Sequence, residues 1–232
     1  MEILSGGLTL ELCPGAFPLS TDSMALAWFA KLKRNSRVLD LGSGCGTLGL
    51  LLCGKRPDCH VVGVERQQAD HEAALENIRR NGLDTRMESI CADLGTVPSR
   101  FPAGSFSACI SNPPYFSGGF ASSRYPQARQ EETCTLSSLL DAAAWALQWG
   151  GDFYLVHKPE RLGEILSLAG QRKLECKRLC LVRHREGGSI NLILLALRKG
   201  GKPGIAWEEI ALYDKTDHPT PVYREIYSIT ES

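Results

Sequence analysis

Short apolar runs alternate with helical segments through most of the chain, and this alternation limits the possible folds more than any other feature. The runs typical of buried strands are residues 37–41, 60–65, 87–91, 105–110 and 152–157. Apolar or amphipathic segments typical of helices lie between them. Parallel strands need long crossover connections, which helices usually supply. The sequence therefore predicts an α/β fold with a Rossmann-like, mostly parallel sheet, right-handed crossovers and helices on both faces.

Two further strands are predicted near the C-terminus, at 177–185 and 189–198, and a last short one at 205–213. A turn containing Gly187 and Gly188 joins the first two, which favours an antiparallel hairpin at one edge of the sheet. The first 12 residues predict a small hairpin or a lone strand.

With no change of composition along the chain, we expect a single domain over 1–232. It would have an N-terminal extension (1–20), a core (20–200) and a C-terminal extension (201–232).

Charge and cysteine content narrow the class of protein. Lys plus Arg equals Asp plus Glu at 26 each, which excludes a globally basic nucleic-acid binder but not a local patch, and basic residues cluster at 31–37 and 172–185. No apolar run approaches the ~20 residues of a membrane span, and no signal peptide is visible. Nine scattered cysteines without metal-ligand spacing predict a reduced, cytoplasmic protein with no metal site. Oligomeric state stays open.

A glycine turn follows the first buried strand. Asp40 lies in that strand, and Gly42, Gly44 and Gly46 follow in a G-x-G-x-G spacing before a helix. Glycines let a backbone approach a ligand closely, and a helix N-terminus presents free N–H groups. Taken alone, such a turn often serves only helix–strand packing, and the spacing differs from the dinucleotide fingerprint.

Acidic residues occur at the ends of the next two strands. Glu65 ends the second strand, where an acid can accept hydrogen bonds from both hydroxyls of a ribose. Asp93 follows the third strand, next to Leu94, where an acid can accept from the amine of an adenine ring. Either acid alone would more simply be a solvated or capping carboxylate. With the glycine turn, the three consecutive strand ends predict a nucleoside pocket.

The fourth strand ends in Ser111-Asn112-Pro113-Pro114-Tyr115. Proline fixes φ and donates no backbone hydrogen bond, so the carbonyl groups of Asn112 and Pro113 are held in set directions. These rigid acceptors stand beside the aromatic face of Tyr115. The arrangement suits a planar group that carries an NH₂, although Asn-Pro and Pro-Pro are also common in turns.

In these motifs the chain resembles the class I S-adenosylmethionine-dependent methyltransferases, over roughly residues 20–200. The residues that carry the resemblance are 40–46, Glu65, Asp93 and 112–115. The resemblance implies that S-adenosylmethionine is the cofactor and that Asn112 borders both cofactor and substrate. The other residues that it places at the cofactor are Asp40, Gly42, Gly44, Gly46, Glu65, Asp93 and Leu94. The Asn-Pro-Pro-Tyr motif narrows the acceptor to a nitrogen conjugated to a ring or a carbonyl.

Residues 17–23, 115–116, 127–131 and 205–227 are similar to bacterial tRNA-valine adenine-N6 methyltransferases, which modify an adenine adjacent to the anticodon. The similarity implies an RNA substrate, a tRNA, and places Thr21 near the cofactor. It places Tyr115, Phe116, Arg124 and Arg129 on the substrate side. Many relatives have glycine and a different polar residue where this chain has Ser20 and Ser23, which leaves the roles of these two serines open.

The resemblance implies a mechanism in which Asn112, Pro113 and Tyr115 act on the target base. The Asn112 side-chain oxygen and the Pro113 carbonyl would orient the amino group, while Tyr115 stacks on the ring.

Three alternative functions stay open. One is a guanine-N2 ribosomal RNA methyltransferase. Another is a protein glutamine methyltransferase, but such enzymes have an extra N-terminal domain, and the 39 residues before Asp40 are too few to form it. The third is a non-enzymatic cofactor-binding interaction module.

Overall fold

A computed structural model describes residues 2–4, 7–12, 19–114 and 136–227. The strands in these ranges are β1 (Glu2–Ile3), β2 (Thr9–Leu10), β3 (Arg37–Leu41), β4 (His60–Glu65), β5 (Met87–Cys91), β6 (Phe106–Ser111), β7 (Leu147–His157), β8 (Leu174–Arg185), β9 (Ile190–Lys199) and β10 (Ala206–Tyr213). The helices are α1 (Thr21–Phe29), α2 (Thr47–Lys55), α3 (Gln68–Arg80), α4 (Val97–Arg100), α5 (Leu136–Ala146), α6 (Leu162–Gln171) and α7 (Pro221–Tyr227). Short 3₁₀ turns at Leu94–Thr96 and Pro159–Arg161 lead into α4 and α6.

The main sheet has eight strands in the order β10-β8-β9-β7-β6-β3-β4-β5, and β1 pairs with β2 in a separate small hairpin. Strand β9 runs antiparallel to both of its neighbours, and the other adjacent pairs are parallel. The predicted mostly parallel sheet with an antiparallel C-terminal hairpin is therefore confirmed. The expectation that the hairpin forms the edge is wrong, because β10 pairs in parallel with β8 and lies outside it.

Helices cover both faces of the sheet, as predicted. Leu26 of α1 and Leu51 of α2 belong to one buried cluster, whereas Leu140 of α5 belongs to a second. The adjacent residues Phe153 and Tyr154 of β7 point into opposite clusters, because successive side chains of a strand alternate between the two faces. None of the helices in the described ranges is both long and apolar enough to cross a membrane.

Two helices end three residues earlier than the apolar pattern predicts: α5, predicted over 136–149, and α1, predicted over 24–32. The helix predicted over 136–149 ends at Ala146, and the next residues begin β7. Leu147 pairs with Phe106 of β6 and is fully buried, so pairing with the neighbouring strand overrides the helical pattern. Gly150 and Gly151, which the sequence suggests as the end of the helix, instead lie inside β7. The short helices α4 and α7 were not predicted.

Helix α1 ends at Phe29, three residues earlier than predicted, and a lysine from α2 caps it. The Lys55 ammonium donates to the backbone carbonyl oxygens of Ala27, Trp28 and Ala30 at 2.9, 2.8 and 3.2 Å. The last carbonyl groups of a helix lack partners within the helix, and a cation there also interacts favourably with the helix dipole. Lys55 therefore fixes the C-terminal end of α1 against α2.

We expect Lys55→Met to lower the free energy of unfolding by about 1–2 kcal/mol, because three carbonyl groups lose a charged donor while the aliphatic stem is retained. Urea denaturation followed by circular dichroism measures the change. Lys33→Met, at an exposed lysine in the loop after α1, is the matched control and should alter stability by only a few tenths of a kcal/mol. Equal effects of the two substitutions would show that Lys55 does not cap α1.

Candidate functional site

The predicted site positions follow the carboxyl ends of four adjacent strands. The sheet order places β6, β3, β4 and β5 side by side and parallel, so their carboxyl ends meet at one edge. Asn112 follows β6, the glycine turn follows β3, Glu65 ends β4, and Asp93 comes two residues after β5. Ligands of open α/β sheets bind at this edge.

The three glycines of the turn all have left-handed backbone conformations. The φ angles of Gly42, Gly44 and Gly46 are 74°, 54° and 87°. A Cβ atom on Gly42 or Gly44 would meet no atom within 4 Å, whereas one on Gly46 would lie 2.9 Å from Cε of Met87. Gly46 thus serves backbone conformation and packing. Gly42 and Gly44 serve the turn itself and leave space beside the backbone that a ligand can approach.

Glu65 binds the glycine turn to the end of β4. One carboxylate oxygen, Oε2, accepts the backbone N–H of Gly44 at 2.9 Å, and the other, Oε1, accepts that of Gln67 at 2.7 Å. The side chain is 9% exposed. The sequence predicts a ligand role for Glu65, with a solvated or capping carboxylate as the simpler alternative, and does not single out Gln67. The structure adds a second function, since this carboxylate also sets the shape of the turn.

Asp40 is the most unusual polar residue at this edge. Its side chain is fully buried, and neither carboxyl oxygen has a hydrogen bond of normal geometry from the described part of the chain, although the backbone N–H of Gly49 is near enough to lower its pKa. Burial, with a smaller contribution from the charge of Glu65, raises the pKa of Asp40 to about 8. The buried hydroxyl of Ser43 is likewise without a partner among those residues. Buried polar groups are rarely left unpaired, so these two side chains mark a place for a polar ligand.

Asp93 is exposed at the end of β5 and caps the following 3₁₀ turn. Its Oδ1 accepts the backbone N–H of Gly95 at 2.8 Å. Asp93 is therefore a capping residue in the structure, and its carboxylate lies at the edge of the sheet where we expect the pocket. Leu94, predicted to contact the cofactor, is largely buried in the cluster that also contains Val97.

Asn112 contacts helix α1. Its side-chain nitrogen Nδ2 donates to Oγ of Ser23 at 2.9 Å, across 89 residues of sequence. Thr21, in the first turn of the same helix, shares a 2.7 Å hydrogen bond with the hydroxyl of Tyr227 in α7. The structure thus brings the N-terminal turn of α1 to the Asn112 motif. Pro113 is buried beside it.

Several predicted site residues lie outside the described ranges: Tyr115, Phe116, Arg124 and Arg129. Other residues at this edge were missed by sequence reasoning. Ser23 and Ser43 lie within the stretches 17–23 and 40–46, but the sequence leaves the role of Ser23 open and assigns none to Ser43. Nothing in their spacing connects them with their neighbours in the fold. In the described ranges, no group of three or more His, Cys, Asp or Glu side chains is arranged to hold a metal ion.

His157 ends β7, the strand that pairs with β6, and sequence reasoning did not single it out. It is 1% exposed, and its Nδ1 accepts the backbone N–H of Lys158 at 2.8 Å. Burial, followed by the charge of Arg161, lowers the pKa of His157 to about 4. Glu164 and Lys158 are the other charged groups that act on the ring. The imidazole is therefore neutral at physiological pH.

This burial predicts a loss of stability in mild acid. The folded pKa lies below the ordinary value of 6.5, so the unfolded chain binds the proton more readily, and stability present above pH 6.5 is lost as the pH falls toward 4. We expect about 2 kcal/mol of the difference in unfolding free energy between pH 7 and pH 5 to come from His157. Denaturation of His157→Asn at both pH values should show a difference smaller by this amount. His60→Asn, at an exposed histidine, should keep the full pH dependence.

A scan against protein-family models matches residues 19–167 to the family described as methyltransferase small domain. The matched range contains every strand and glycine of the site described above.

Curated relatives cover most of the chain. A protein of Dickeya chrysanthemi is 31% identical over 82% of this chain and 76% of its own length. One from Mannheimia succiniciproducens is 31% identical over 79% and 75%, and one from Bacteroides thetaiotaomicron is 26% identical over 91% of both. All three are named tRNA1(Val) (adenine(37)-N6)-methyltransferase.

Solved structures share the fold at low sequence identity. A structure from Agrobacterium tumefaciens, described as "a predicted O-methyltransferase", superposes with a TM-score of 0.76 at 21% identity, covering 90% of this chain and 97% of that one. A geranyl diphosphate C-methyltransferase from Streptomyces coelicolor, solved with S-adenosyl-L-homocysteine, gives a TM-score of 0.55 at 13% identity over 75% and 78%.

Proposed function

Because this chain belongs to the methyltransferase small domain family and is an S-adenosylmethionine-dependent methyltransferase, we propose that it methylates N6 of an adenine in tRNA, next to the anticodon. The observation that carries the proposal is the Asn112 amide, held by Ser23 beside the glycine turn. The names of the relatives support the same acceptor.

The residues at the strand ends fit the cofactor. The unpaired buried carboxyl group of Asp40 and the open side of Gly42 and Gly44 provide polar groups and space for a ligand. When bound, S-adenosylmethionine supplies an electrophilic methyl group on a positively charged sulfur. A cation near Asp40 favours its ionised form. We assign the ribose hydroxyls to Glu65 and the adenine ring to Asp93 and Leu94, with Thr21 and Gly46 completing the cofactor side.

On the acceptor side, the protein must orient a poor nucleophile. The lone pair of an adenine amino group is delocalised into the ring. Two acceptors, Asn112 Oδ1 and the Pro113 carbonyl oxygen, would bind the two N–H protons and direct the lone pair out of the ring plane. The gain comes from positioning and from fixed dipoles, without a strong base. Tyr115 would stack on the base, a contact worth about 1–3 kcal/mol.

The proposed partner is a folded RNA, which adds a requirement. A base in a structured loop must leave its stack to reach a pocket at the strand ends. We assign Phe116, Arg124 and Arg129 to the contacts with the flanking nucleotides and phosphates.

The test is a methylation assay with the purified protein, labelled S-adenosylmethionine and unmodified tRNA transcripts, followed by nucleoside mass spectrometry. A valine tRNA with adenine next to the anticodon should yield N6-methyladenosine, and the same transcript with guanine at that position should yield none. Label in guanosine of ribosomal RNA, or in a protein glutamine, would show that this residue is the acceptor and that the proposed acceptor is wrong. Labelling of an adenine elsewhere in the tRNA would support the proposed reaction but contradict the proposed position.

A further inference from the structure

We propose that Ser23 is a positioning residue that fixes which end of the Asn112 amide faces the target amine. This inference rests on the proposed function, since it concerns how Asn112 accepts a hydrogen bond from the substrate. Ser23 Oγ lies 2.9 Å from Asn112 Nδ2 and accepts its proton. The carbonyl end, Oδ1, therefore points away from Ser23.

The orientation matters because the two ends of an asparagine amide are nearly equal in shape and opposite in function. The oxygen accepts hydrogen bonds and the nitrogen donates them. An amide rotated by 180° would present its NH₂ to the NH₂ of the substrate, which places donor against donor. The adjacent prolines restrain the backbone of Asn112 but do not decide this rotation of the side chain. Ser23 Oγ accepts both from Asn112 Nδ2 at 2.9 Å and from the Ser20 hydroxyl at 3.4 Å, and this acceptor role favours the orientation with Nδ2 toward Ser23.

Ser23 is itself held in place. It is 7% exposed and lies in the first turn of α1, where its backbone N–H donates to Oγ of the N-cap residue Ser20 at 3.3 Å. Helix α1 is attached at both ends, by the Thr21–Tyr227 hydrogen bond and by the Lys55 cap. A hydroxyl on a helix fixed at both ends is a precise point of reference for a neighbouring side chain.

The first experiment compares Ser23→Ala with Ser36→Ala. Ser36 is a matched control because it is a similarly buried serine, 3% exposed, whose hydroxyl donates to the carbonyl oxygen of Lys33 at 2.8 Å. With the tRNA substrate, Ser23→Ala should lower kcat by at least about tenfold, the cost of one buried hydrogen bond. The KM for tRNA and the affinity for S-adenosylmethionine should stay within about twofold. Ser36→Ala should keep all three values. An unchanged kcat in Ser23→Ala, or a loss of kcat matched by an equal loss of cofactor affinity, would overturn the proposal.

A double mutant tests whether Ser23 acts through Asn112. In an Asn112→Ala background, Ser23→Ala should cause no further loss of kcat in single-turnover measurements, since the amide that it orients is absent. Additive losses would overturn the proposal.

A readout on the ligand-free protein separates this proposal from the choice of substrate. The side-chain NH₂ resonances of Asn112, identified by their loss in Asn112→Ala, should shift in Ser23→Ala and stay in place in Ser36→Ala. If no RNA is methylated but these resonances respond as expected, the proposed substrate fails while the link between Ser23 and Asn112 stands. Resonances unaffected by Ser23→Ala would overturn the link whatever the substrate is.

Discussion

Asn112→Ala should reduce methyl transfer by about 100- to 1000-fold, the scale seen when one fixed polar group is removed from an active site. The alanine removes the acceptor that we assign to the target amine. The cofactor-side groups, Asp40 and Glu65, lie on the neighbouring strands β3 and β4 and are untouched. We therefore expect the affinity for S-adenosylmethionine, measured by calorimetry, to change by less than about twofold.

Asn112→Asp is the informative companion. A carboxylate keeps an acceptor at the position of Oδ1 but lacks the Nδ2 donor that binds Ser23. This variant should retain more activity than Asn112→Ala. If Asn112→Ala lost transfer and cofactor affinity together, Asn112 would belong to the cofactor site, and its assigned role on the substrate would be wrong.

The second large effect is expected for Glu65→Ala, which should weaken S-adenosylmethionine binding by about 10- to 100-fold, the range for hydrogen bonds to a charged group. The substitution removes the acceptor for the backbone N–H groups of Gly44 and Gln67, so the glycine turn keeps only its backbone hydrogen bonds to Val64 of β4. It also removes the carboxylate that we assign to the ribose hydroxyls. Isothermal titration of the purified protein with the cofactor measures the change.

Glu65→Gln and Glu88→Ala complete this set. Glutamine keeps the shape but faces one of the two backbone N–H groups with its own NH₂, so binding should weaken here too. Glu88 is an exposed glutamate on β5, and its removal should leave the affinity unchanged. Normal cofactor affinity in Glu65→Ala would mean that the pocket is not at the end of β4.

The sheet could be predicted closely because its signals are local. The strands 37–41, 60–65 and 87–91 have the bounds that the apolar runs suggest, since each is a short run of mostly apolar residues. The end of α5 could not be predicted, because Leu147 is equally suited to a helix and to a buried strand. Its pairing with Phe106, 41 positions away, decides between them.

For the site, the sequence by itself determined the glycine turn, Glu65, Asp93 and the Asn112 motif as features of consecutive strand ends. A positive φ favours glycine, and parallel strands bring such ends to one edge. Only the tertiary structure decided that Ser23 contacts Asn112, that Glu65 accepts from Gly44, and that Asp40 is buried without a partner in the described chain. These facts depend on side chains that meet across tens of residues. A hydroxyl or carboxyl group has no periodicity by which the sequence could identify its partner, so only packing selects it.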